Sequence, residues 1–454
     1  MIKKILIANR GEIACRIIKT CRTMGIATVA VYSQADAGAL YVSQADEAVE
    51  IGTAPAAESY LKTDVILVAA KSTGAEAIHP GYGFLSENAA FADAVESAGL
   101  IWIGPKGKTI RDMGDKQRAR SLALAAQVPV LPGSEGIKPG NVEAVLATGN
   151  KVGYPLLVKA AGGGGGIGMR QVLSSSELEN AVTTAQSQAA RSFGDNVVYL
   201  ERFVRNARHV EIQIFGFGDG EAIAFPERDC SIQRRFQKVV EESPAPDLKE
   251  SVCKAMAAAA LLLACQENFR SAGTVEFILD TDTSEFFFLE MNTRIQVEHP
   301  VTELVTGVDL VSLQIQLASG EALNDFRSRS YPAQGHAIEA RIYAEDPKKN
   351  FLPRPGTLTQ LMLPEEKDGI RVDSGVCEGD KITPFYDPMI AKICAYGVDR
   401  EAATGKIIAA LKSIKIEGVP TNTEFLIAVF SHEANKRGAV STNFISDYSD
   451  ELLA

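Results

Sequence analysis

The hydrophobic pattern of the N-terminal third predicts strands and helices in alternation. IKKILIA and ATVAVYS are apolar runs typical of buried strands, and GEIACRIIKTCRTMG between them carries its isoleucines on one helical face. The alternation continues through VILVAAKSTGAEAIHPG and ends near Trp102 to Pro105. Strands separated by helices indicate a parallel, doubly wound α/β sheet.

From about Val128 the pattern changes to that of a smaller unit. The strand YPLLVKA precedes a glycine run, and a second strand follows from Met169 to Leu173. Two strands joined by a glycine-rich turn predict a hairpin, and SSSE, with Glu177 in the first turn, predicts the start of the next helix. We expect this unit to end near VVYLERFV.

The remaining sequence predicts a mixture of both element types. HVEIQIFG and EAIAFPE alternate as strands do, the basic run SIQRRFQKVV follows, and AMAAAALLLAC is typical of a buried helix. GTVEFILD and EFFFLEMN predict two neighbouring strands. The segment from about Tyr331 again mixes strands and helices without an obvious linker.

Length and charge narrow the classes of protein. A chain of 454 residues exceeds what one hydrophobic core usually supports, so we expect several domains. The net charge of -11 argues against a broad nucleic-acid surface, although a local basic cleft for small anions stays open. The first turn, NRGE, lacks the GxGxxG pattern of a dinucleotide site, which disfavours a nicotinamide or flavin enzyme.

Cysteine usage and apolar segments bear on the compartment. The seven cysteines are scattered and never spaced as CxxC, which favours reduced thiols in a cytoplasmic protein. The start, MIKKILIANRGE, predicts a strand rather than a secretory signal. AMAAAALLLAC is about half as long as a membrane span requires. We therefore expect a cytoplasmic protein with no membrane partner.

Five consecutive glycines, Gly162–Gly166, separate the strands of the predicted hairpin. One interpretation is a flexible linker, and the other is a mobile lid whose backbone N–H groups close over phosphates. The position between two strands favours the lid, although no G-K-[ST] follows as in a Walker A loop. Lys159, next to the strand end, is either a surface lysine or a phosphate contact, and its place facing the turn favours the contact.

Two carboxylates lie on the neighbouring strands TVEFI and FFLEMN. Glu276 and Glu290 would repel each other if both were buried and ionised, unless a cation lay between them. Magnesium with ATP phosphates satisfies both, and Asn292 points to the same strand face as Glu290. The alternative is a pair of satisfied edge carboxylates. The alternation continues at Arg294, Gln296 and Glu298, which predicts a polar active-site floor.

Eight sequence blocks follow one another along the chain: HPGYGFLSEN, MGDK, VKAAGGGGGIGMR, RHVEIQIFG, ERDCSIQRRFQKVVEE, EMNTRIQVEHPVTE, RIYAEDP and FLPRPGTL. In order, spacing and composition they resemble the biotin carboxylases, which are ATP-grasp enzymes of biotin-dependent carboxylases. The resemblance covers almost the whole chain, from Ile5 to about Phe444.

The resemblance implies an α/β fold in three parts. These are a Rossmann-like, doubly wound N-terminal domain at residues 1–115, an ATP-grasp domain at 116–330 and an α+β C-terminal domain at 331–446. A mobile glycine-rich lid is expected within the ATP-grasp domain at about 131–204.

The resemblance also implies the reaction. In that family ATP phosphorylates bicarbonate to carboxyphosphate, which breaks down to CO₂ and phosphate, and CO₂ then carboxylates biotin carried on a partner protein. The implied cofactors are ATP and two magnesium or manganese ions, with the carrier's biotin as a substrate. Phosphoryl transfer depends mainly on positioning and charge neutralisation, which suits a site rich in Lys, Arg and metal.

Site roles follow from the resemblance, position by position. The implied nucleotide contacts are Lys116, Lys159, Gly165, Gly166, Glu201, Arg202, Phe203, Val204, His209, Gln233, Glu276 and Glu290. The implied metal ligands are Glu276, Glu290 and Asn292. The implied bicarbonate contacts are Lys238, Arg294, Gln296 and the Val297 backbone. The implied biotin contacts are Tyr82 and Arg341. The implied catalytic residues are Arg294, Glu298, Lys238 and Arg341.

Individual residues keep simpler interpretations beside these roles. Lys238 with Arg234 and Arg235 is also typical of a solvated basic face, and His79 and His209 of hydrogen-bonded structural histidines. Cys230 lacks a histidine nearby in the sequence and is expected to be structural.

The chain departs from the family pattern at two positions. Phe236 replaces a histidine and Ile167 replaces a Lys or Arg of most relatives. Both changes remove a polar or cationic group near the nucleotide phosphates, so weaker nucleotide binding or lid closure is expected.

Two other functions stay open at this point. One is a different ATP-grasp ligase, of the carbamoyl-phosphate or peptide type, and the other is a nucleotide-binding regulatory subunit without catalysis, suggested by Phe236 and Ile167. The chain carries no M-K-M biotinylation signature. We therefore expect a separate biotin carboxyl carrier protein, separate carboxyltransferase subunits and a homodimer, with acetyl-CoA, propionyl-CoA, pyruvate, 2-oxoglutarate or urea as the final acceptor.

Overall fold

The computed structural model describes residues 2–140, 142–160, 169–193, 196–235 and 237–454. The predictions made for Gly165, Gly166, Ile167 and Phe236 lie outside the described residues.

The N-terminal part forms the predicted parallel sheet. Its strand order is β3-β2-β1-β4-β5, so the chain starts in the middle and moves outward to both sides. Ile5 and Ile7 pack on the face that α1 covers, whereas Leu6 and Ala8 pack on the opposite face. The elements are β1 (Lys4–Ile7), α1 (Gly11–Thr23), β2 (Ala27–Ser33), α2 (Leu40–Gln44), β3 (Glu47–Gly52), α3 (Thr63–Thr73), β4 (Ala77–His79), α4 (Ala89–Ser97), β5 (Ile101–Trp102) and α5 (Gly107–Gly114).

The predicted hairpin unit is a small antiparallel sheet in the order β7-β6-β8, with two helices packed on it. SSSE predicted the start of the second helix correctly, since this helix begins at Ser175 with Glu177 in its first turn. The carboxylate of Glu177 accepts a hydrogen bond from the N–H of Leu173 at 3.0 Å, which ties the preceding strand to the helix. The elements are α6 (Lys116–Ala125), α7 (Val142–Val152), β6 (Leu156–Ala160), β7 (Arg170–Val172), α8 (Ser175–Phe193) and β8 (Val198–Arg202).

The central part continues with long antiparallel strands. β9 is buried along its whole length, and α9, which contains AMAAAALLLAC, packs Met256, Ala260 and Leu263 into the core beneath it. The elements are β9 (Ala207–Phe217), β10 (Ala222–Asp229), β11 (Gln233–Arg234), β12 (Gln237–Lys238), β13 (Val240–Ser243), α9 (Glu250–Gln266), β14 (Arg270–Asp280), β15 (Phe286–Asn292), α10 (His299–Thr306), α11 (Leu310–Ala318) and α12 (Asn324–Arg327).

The C-terminal part mixes strands and helices. The elements are β16 (His336–Tyr343), β17 (Glu345–Asp346), β18 (Leu352–Pro353), β19 (Gly356–Thr357), β20 (Gln360–Met362), β21 (Ile370–Ser374), β22 (Lys381–Ile382), β23 (Met389–Gly397), α13 (Arg400–Ser413), β24 (Lys415–Glu417), α14 (Thr423–Ser431), α15 (Glu433–Lys436), α16 (Phe444–Asp447) and α17 (Ser449–Leu452).

One antiparallel sheet joins the central and C-terminal parts in the order β15-β14-β9-β10-β13-β16-β23-β21. β13 pairs with β16, so this sheet is continuous across the boundary predicted between residues 330 and 331. That boundary stays a prediction, and it does not coincide with a break in the sheet. Ile338, Ala340 and Ile393 on one face pack with α13 and α14, whereas the opposite face carries polar residues.

Among the described residues, no single helix has the length and apolar character to cross a membrane. The pair α10 and α11 meets that test only when both are taken together, and a bend of 94° separates them.

Candidate active site

Glu276 and Glu290 lie directly opposite each other on β14 and β15, as the sequence predicted. A register shift follows at Leu289, which turns Glu290 toward solvent while Glu276 stays buried. Although the side chain of Glu290 reaches solvent, the protein around it displaces part of its water shell and raises its pKa, and the charge of Glu276 adds to this effect. Like charges facing each other across strands are unfavourable, so this edge of the sheet favours a cation.

Lys238 on β12 lies among three carboxylates. Its Nζ atom donates hydrogen bonds to Glu211 at 2.7 Å, to Glu276 at 2.8 Å and to Glu298 at 2.6 Å. Burial alone would lower the pKa of this amine, but the three carboxylates outweigh it and raise the pKa well above its usual value. Lys238 is therefore a charged member of a buried cluster and not part of a solvated basic face.

His209 on β9 lies beside the same cluster. The amide nitrogen of Gln233 donates to the backbone carbonyl of Cys230 at 2.7 Å and faces His209 Nδ1 at 2.8 Å. Because an amide nitrogen only donates, Nδ1 accepts and the imidazole proton is on Nε2. Nε2 is 2.9 Å from a carboxylate oxygen of Glu276, which is within ion-pair distance.

Asn292 and Gln296 hold the other side of Glu276. Their side-chain amides donate to Glu276 Oε1 at 2.8 Å and 2.9 Å. With Lys238, they fix this oxygen from three directions, and the pKa of Glu276 lies well below its usual range because Lys238 and His209 outweigh the effect of burial.

Arg294 extends the cluster toward the N-terminal part. Its guanidinium donates to Asn292 Oδ1 at 3.0 Å and to Glu87 at 2.9 Å. The expectation that strand alternation continues through Arg294 was wrong, because β15 ends at Asn292. Turns carry the chain from there into α10, and the polar side chains still converge.

Glu298 is completely buried between two cations. One carboxylate oxygen accepts from Lys238, and the other accepts from Arg341 at 3.0 Å. Burial opposes ionisation, but Lys238 and Arg341 outweigh it and hold the pKa of Glu298 far below its usual value. Glu241 contacts the same guanidinium nitrogen of Arg341 as Glu298 does. An ionised carboxylate with an arginine beside it is a pair suited to removing a proton and stabilising the anion that forms.

The remaining predicted nucleotide contacts lie around the edge of this cluster. Lys159 forms an ion pair with Glu201 across β6 and β8, and Arg202 is 3.9 Å from Asp280. Lys116 is the first residue of α6. Its positive charge lowers the pKa of Glu290 and so opposes desolvation and the charge of Glu276, which both raise that pKa. Phe203 follows β8 and Val204 is buried behind it.

Sequence reasoning missed several residues that hold the cluster together. Arg228 is completely buried and donates to Glu211 at 2.6 Å, to Gln213 at 2.8 Å and to Thr302 at 2.9 Å. A signal was present for Glu211 and Gln213, because RHVEIQ places polar residues at every second position of a strand. Arg228 and Glu241 carry no such alternation, because each lies next to other charged residues.

Two residues fit their simpler interpretations. His79 accepts from the N–H of Gly81 at 3.0 Å, and burial lowers its pKa to about 3, so it is neutral. Burial raises the pKa of the Cys230 thiol well above its usual value, which makes it unreactive. Arg234 does not lie on a solvated basic face, because it is mostly buried and forms an ion pair with Glu345 at 3.0 Å.

The donor set fits magnesium. Glu276 and Glu290 supply carboxylate oxygens from adjacent strands. Asn292 turns its amide nitrogen toward Glu276 and its oxygen toward Arg294, so it would have to rotate to offer an oxygen to the ion. Mg²⁺ prefers a site that has few protein carboxylates and leaves room for phosphate oxygens and water. The raised pKa of Glu290 indicates that a bound cation would be stabilised there.

Three family models match the chain in succession. "Biotin carboxylase, N-terminal domain" matches residues 1–110, "Carbamoyl-phosphate synthase L chain, ATP binding domain" matches 115–326, and "Biotin carboxylase C-terminal domain" matches 339–447. The predicted order of an N-terminal, an ATP-grasp and a C-terminal domain is confirmed, while the predicted bounds stay predictions.

Curated relatives cover the whole chain. Biotin carboxylase 1 of Bacillus subtilis is 48% identical over 448 residues, which span 99% of both proteins. The α subunit of mitochondrial methylcrotonoyl-CoA carboxylase of Oryza sativa subsp. japonica is 49% identical over 453 residues, 100% of this chain and 61% of that protein. The chain thus spans about three fifths of the length of such subunits.

A solved structure shares the fold. The biotin carboxylase domain dimer of Hydrogenobacter thermophilus 2-oxoglutarate carboxylase, in complex with MgADP, ADP and bicarbonate, superposes with a TM-score of 0.91 at 42% identity. The match covers 100% of this chain and 99% of that one.

Proposed function

The chain belongs to the biotin carboxylases, and from this membership we propose that it is an ATP-dependent ligase that carboxylates biotin on a partner carrier protein. ATP phosphorylates bicarbonate, the carboxyphosphate yields CO₂ and phosphate, and CO₂ joins the N1′ nitrogen of biotin. The observation that carries the proposal is that Lys238, Glu298 and Arg341 contact one another inside the protein. In the proposal Lys238 binds the anion, Glu298 is the base, and Arg341 contacts the oxyanion.

In this proposal the nucleotide binds beside the part of β14 and β15 that carries Glu276 and Glu290. Glu276, Glu290 and Asn292 would hold the divalent ions, which neutralise phosphate charge during transfer. Lys116 and Lys159 would contact the phosphates, and Glu201 to Val204 would bind adenine where β8 leaves the lid unit.

Bicarbonate would lie between Lys238 and Arg294. The planar fork of Arg294 suits a two-point contact with a small carboxylate-like anion, and Gln296 and the Val297 backbone lie on the same segment. Positioning bicarbonate beside the phosphate is the main task of these groups, because phosphoryl transfer needs little covalent help from protein.

Biotin would approach from the side of Arg341 and Tyr82. The ureido N–H is a very weak acid, so its removal needs stabilisation of the oxygen that becomes negative. Arg341 supplies that contact, and Glu298 or the released phosphate accepts the proton.

The partners proposed are a biotin carboxyl carrier protein, carboxyltransferase subunits and a second copy of this chain. The relatives named for methylcrotonoyl-CoA and propionyl-CoA carboxylases support an acyl-CoA acceptor, whereas acetyl-CoA and a role in fatty acid synthesis are one option among several. The dimer named for the Hydrogenobacter domain supports the homodimer. The free cysteines support the cytoplasm as the location.

The test is phosphate release from ATP by the purified chain with Mg²⁺. We expect hydrolysis that depends on bicarbonate and rises with free biotin, together with labelled carboxybiotin from labelled bicarbonate. A chain that binds ATP and releases no phosphate under these conditions would be a nucleotide-binding regulatory subunit. Hydrolysis that needs an amine or amino acid instead would indicate another ATP-grasp ligase.

A further inference from the structure

Lys392 on β23 carries a completely buried ammonium group outside the proposed contact residues. Its Nζ atom donates to the backbone carbonyl of Val297 at 2.8 Å. The same atom is 3.3 Å from Glu12 and 3.7 Å from Asp373. A buried charge is costly unless it is paired, and these partners come from three separate stretches of the chain.

The strand register places Lys392 next to Arg341. The two residues are direct partners on β23 and β16, so their side chains leave the same face of the sheet. Arg341 holds the carboxylate of Glu298, and Lys392 holds the carbonyl immediately before Glu298. Arg341 and Lys392, which are neighbours in the sheet, thus hold the side chain of Glu298 and the peptide group that precedes it.

The carbonyl contact restricts more than Val297. The carbonyl of Val297 and the N–H of Glu298 belong to one planar peptide, so orienting the first orients the second. The Cα–Cβ bond of Glu298 leaves from the end of that plane, at the residue that precedes α10. Lys392 therefore limits the directions from which the Glu298 carboxylate enters the cluster.

Glu12 extends this link to Tyr82. One of its oxygens accepts from the Tyr82 hydroxyl, while the other faces Lys392. The backbone there is held closely, because a Cβ atom on Gly375 would lie 2.3 Å from the nitrogen of Glu12. Any side chain at residue 375 would therefore separate Glu12 from β21 and β23.

We propose that Lys392 is a positioning residue for carboxyl transfer, orienting the Val297–Glu298 peptide directly and Tyr82 through Glu12. The inference rests on the proposed function and adds a residue that touches no substrate. Loss of the Lys392 contact should disturb bicarbonate and biotin steps while leaving the nucleotide side intact, because three other side chains hold Glu276.

The test compares Lys392→Met, Lys392→Arg and the double variant Lys392→Met with Glu12→Gln. The single change to Met leaves Glu12 without its ion-pair partner and destabilises the protein, whereas Asp373 keeps its ion pair with Arg371 at 2.8 Å. The double variant removes both members of the Lys392–Glu12 pair. Lys254→Met is the control, because its side chain is 74% exposed on α9.

We expect the double variant to keep its thermal midpoint and its ATP KM while kcat for bicarbonate-dependent hydrolysis and for biotin carboxylation falls at least about tenfold, in line with the loss from a misplaced reacting group. Lys392→Arg should recover part of that loss. A folded double variant with normal kcat would overturn the inference, as would equal losses in kcat and ATP binding. A wild type without bicarbonate-dependent hydrolysis would overturn the proposed function, and the inference with it.

Discussion

The Nζ atom of Lys238 lies 2.6 Å from Oε1 of Glu298, and this contact keeps the carboxylate ionised inside the protein. We predict that Lys238→Met lowers kcat for bicarbonate-dependent ATP hydrolysis by about 100-fold or more, as for the loss of one preorganised charge contact. Without the ammonium group, burial dominates and the pKa of Glu298 rises. The acid limb of the pH–rate profile should therefore move to higher pH.

Lys254→Met serves as the control for Lys238→Met, since this exposed lysine pairs only with Glu250 on the surface of α9. Its rate and pH profile should match those of the wild type. An unchanged acid limb in Lys238→Met would contradict the assignment of Glu298 as the titrating base.

Glu290 faces Glu276 across two strands, and each raises the cost of ionising the other. We predict that Glu290→Gln increases the Mg²⁺ concentration for half-maximal ATP hydrolysis by about tenfold or more, because one of few carboxylate ligands is lost. Magnesium titrations at saturating ATP measure this directly.

Glu96→Gln provides a control on the exposed surface of α4 and should leave the magnesium titration unchanged. If Glu290→Gln lowered the maximal rate with the same magnesium requirement, Glu290 would act on the substrates and not as a metal ligand.

The sequence was sufficient for much of the fold because local patterns were strong. The parallel direction of the first five strands follows from alternating apolar runs and helices, although their order was not predicted. The antiparallel pairing of β6 and β7 follows from two apolar runs on either side of the glycines in the sequence. The joining of β13 to β16 was not predictable, because nothing local to VVEES or HAIEARIY indicates that these strands pair across the expected domain boundary.

The candidate active site was also predictable from the sequence only in part. Glu276 and Glu290 were placed correctly from two neighbouring apolar strands, since both carboxylates interrupt hydrophobic runs. Lys238 looked like part of a basic surface run, and its three carboxylate partners come from distant strands. Lys392 is a single charge in an apolar strand, whereas Arg228 lies between Glu227 and Asp229. The partners of both depend on tertiary packing that no local pattern specifies.

Arg228 is completely buried and holds Glu211, which in turn accepts from Lys238. We predict that Arg228→Gln lowers the free energy of unfolding by about 3 to 5 kcal/mol, because Glu211 would be left as a poorly compensated buried charge. Urea denaturation followed by circular dichroism measures the change. Arg329→Gln, on an exposed segment, should change stability by no more than about 0.5 kcal/mol. Equal stability of the two variants would show that Glu211 finds other partners.

Glu345 gives a prediction about pH. It is 1% exposed, Arg234 reaches one of its oxygens at 3.0 Å, and the other oxygen has no hydrogen-bond partner among the described residues. Burial raises its pKa from 4.5 to about 7, and Arg234 offsets only part of that effect. The folded protein thus keeps a proton on Glu345 at pH values where the unfolded chain has lost it.

This raised pKa contributes stability that is fully present below pH 4.5 and is lost as the pH rises to about 7. Glu345→Gln keeps a neutral side chain at every pH and removes this dependence. We predict that, between about pH 4.5 and pH 7, the free energy of unfolding of the variant increases relative to the wild type by up to about 3 kcal/mol. Urea denaturation of both proteins across this range, with Glu96→Gln as an exposed control that follows the wild type, measures the difference. A constant difference between Glu345→Gln and the wild type at every pH would mean that Glu345 is ionised throughout and held by Arg234.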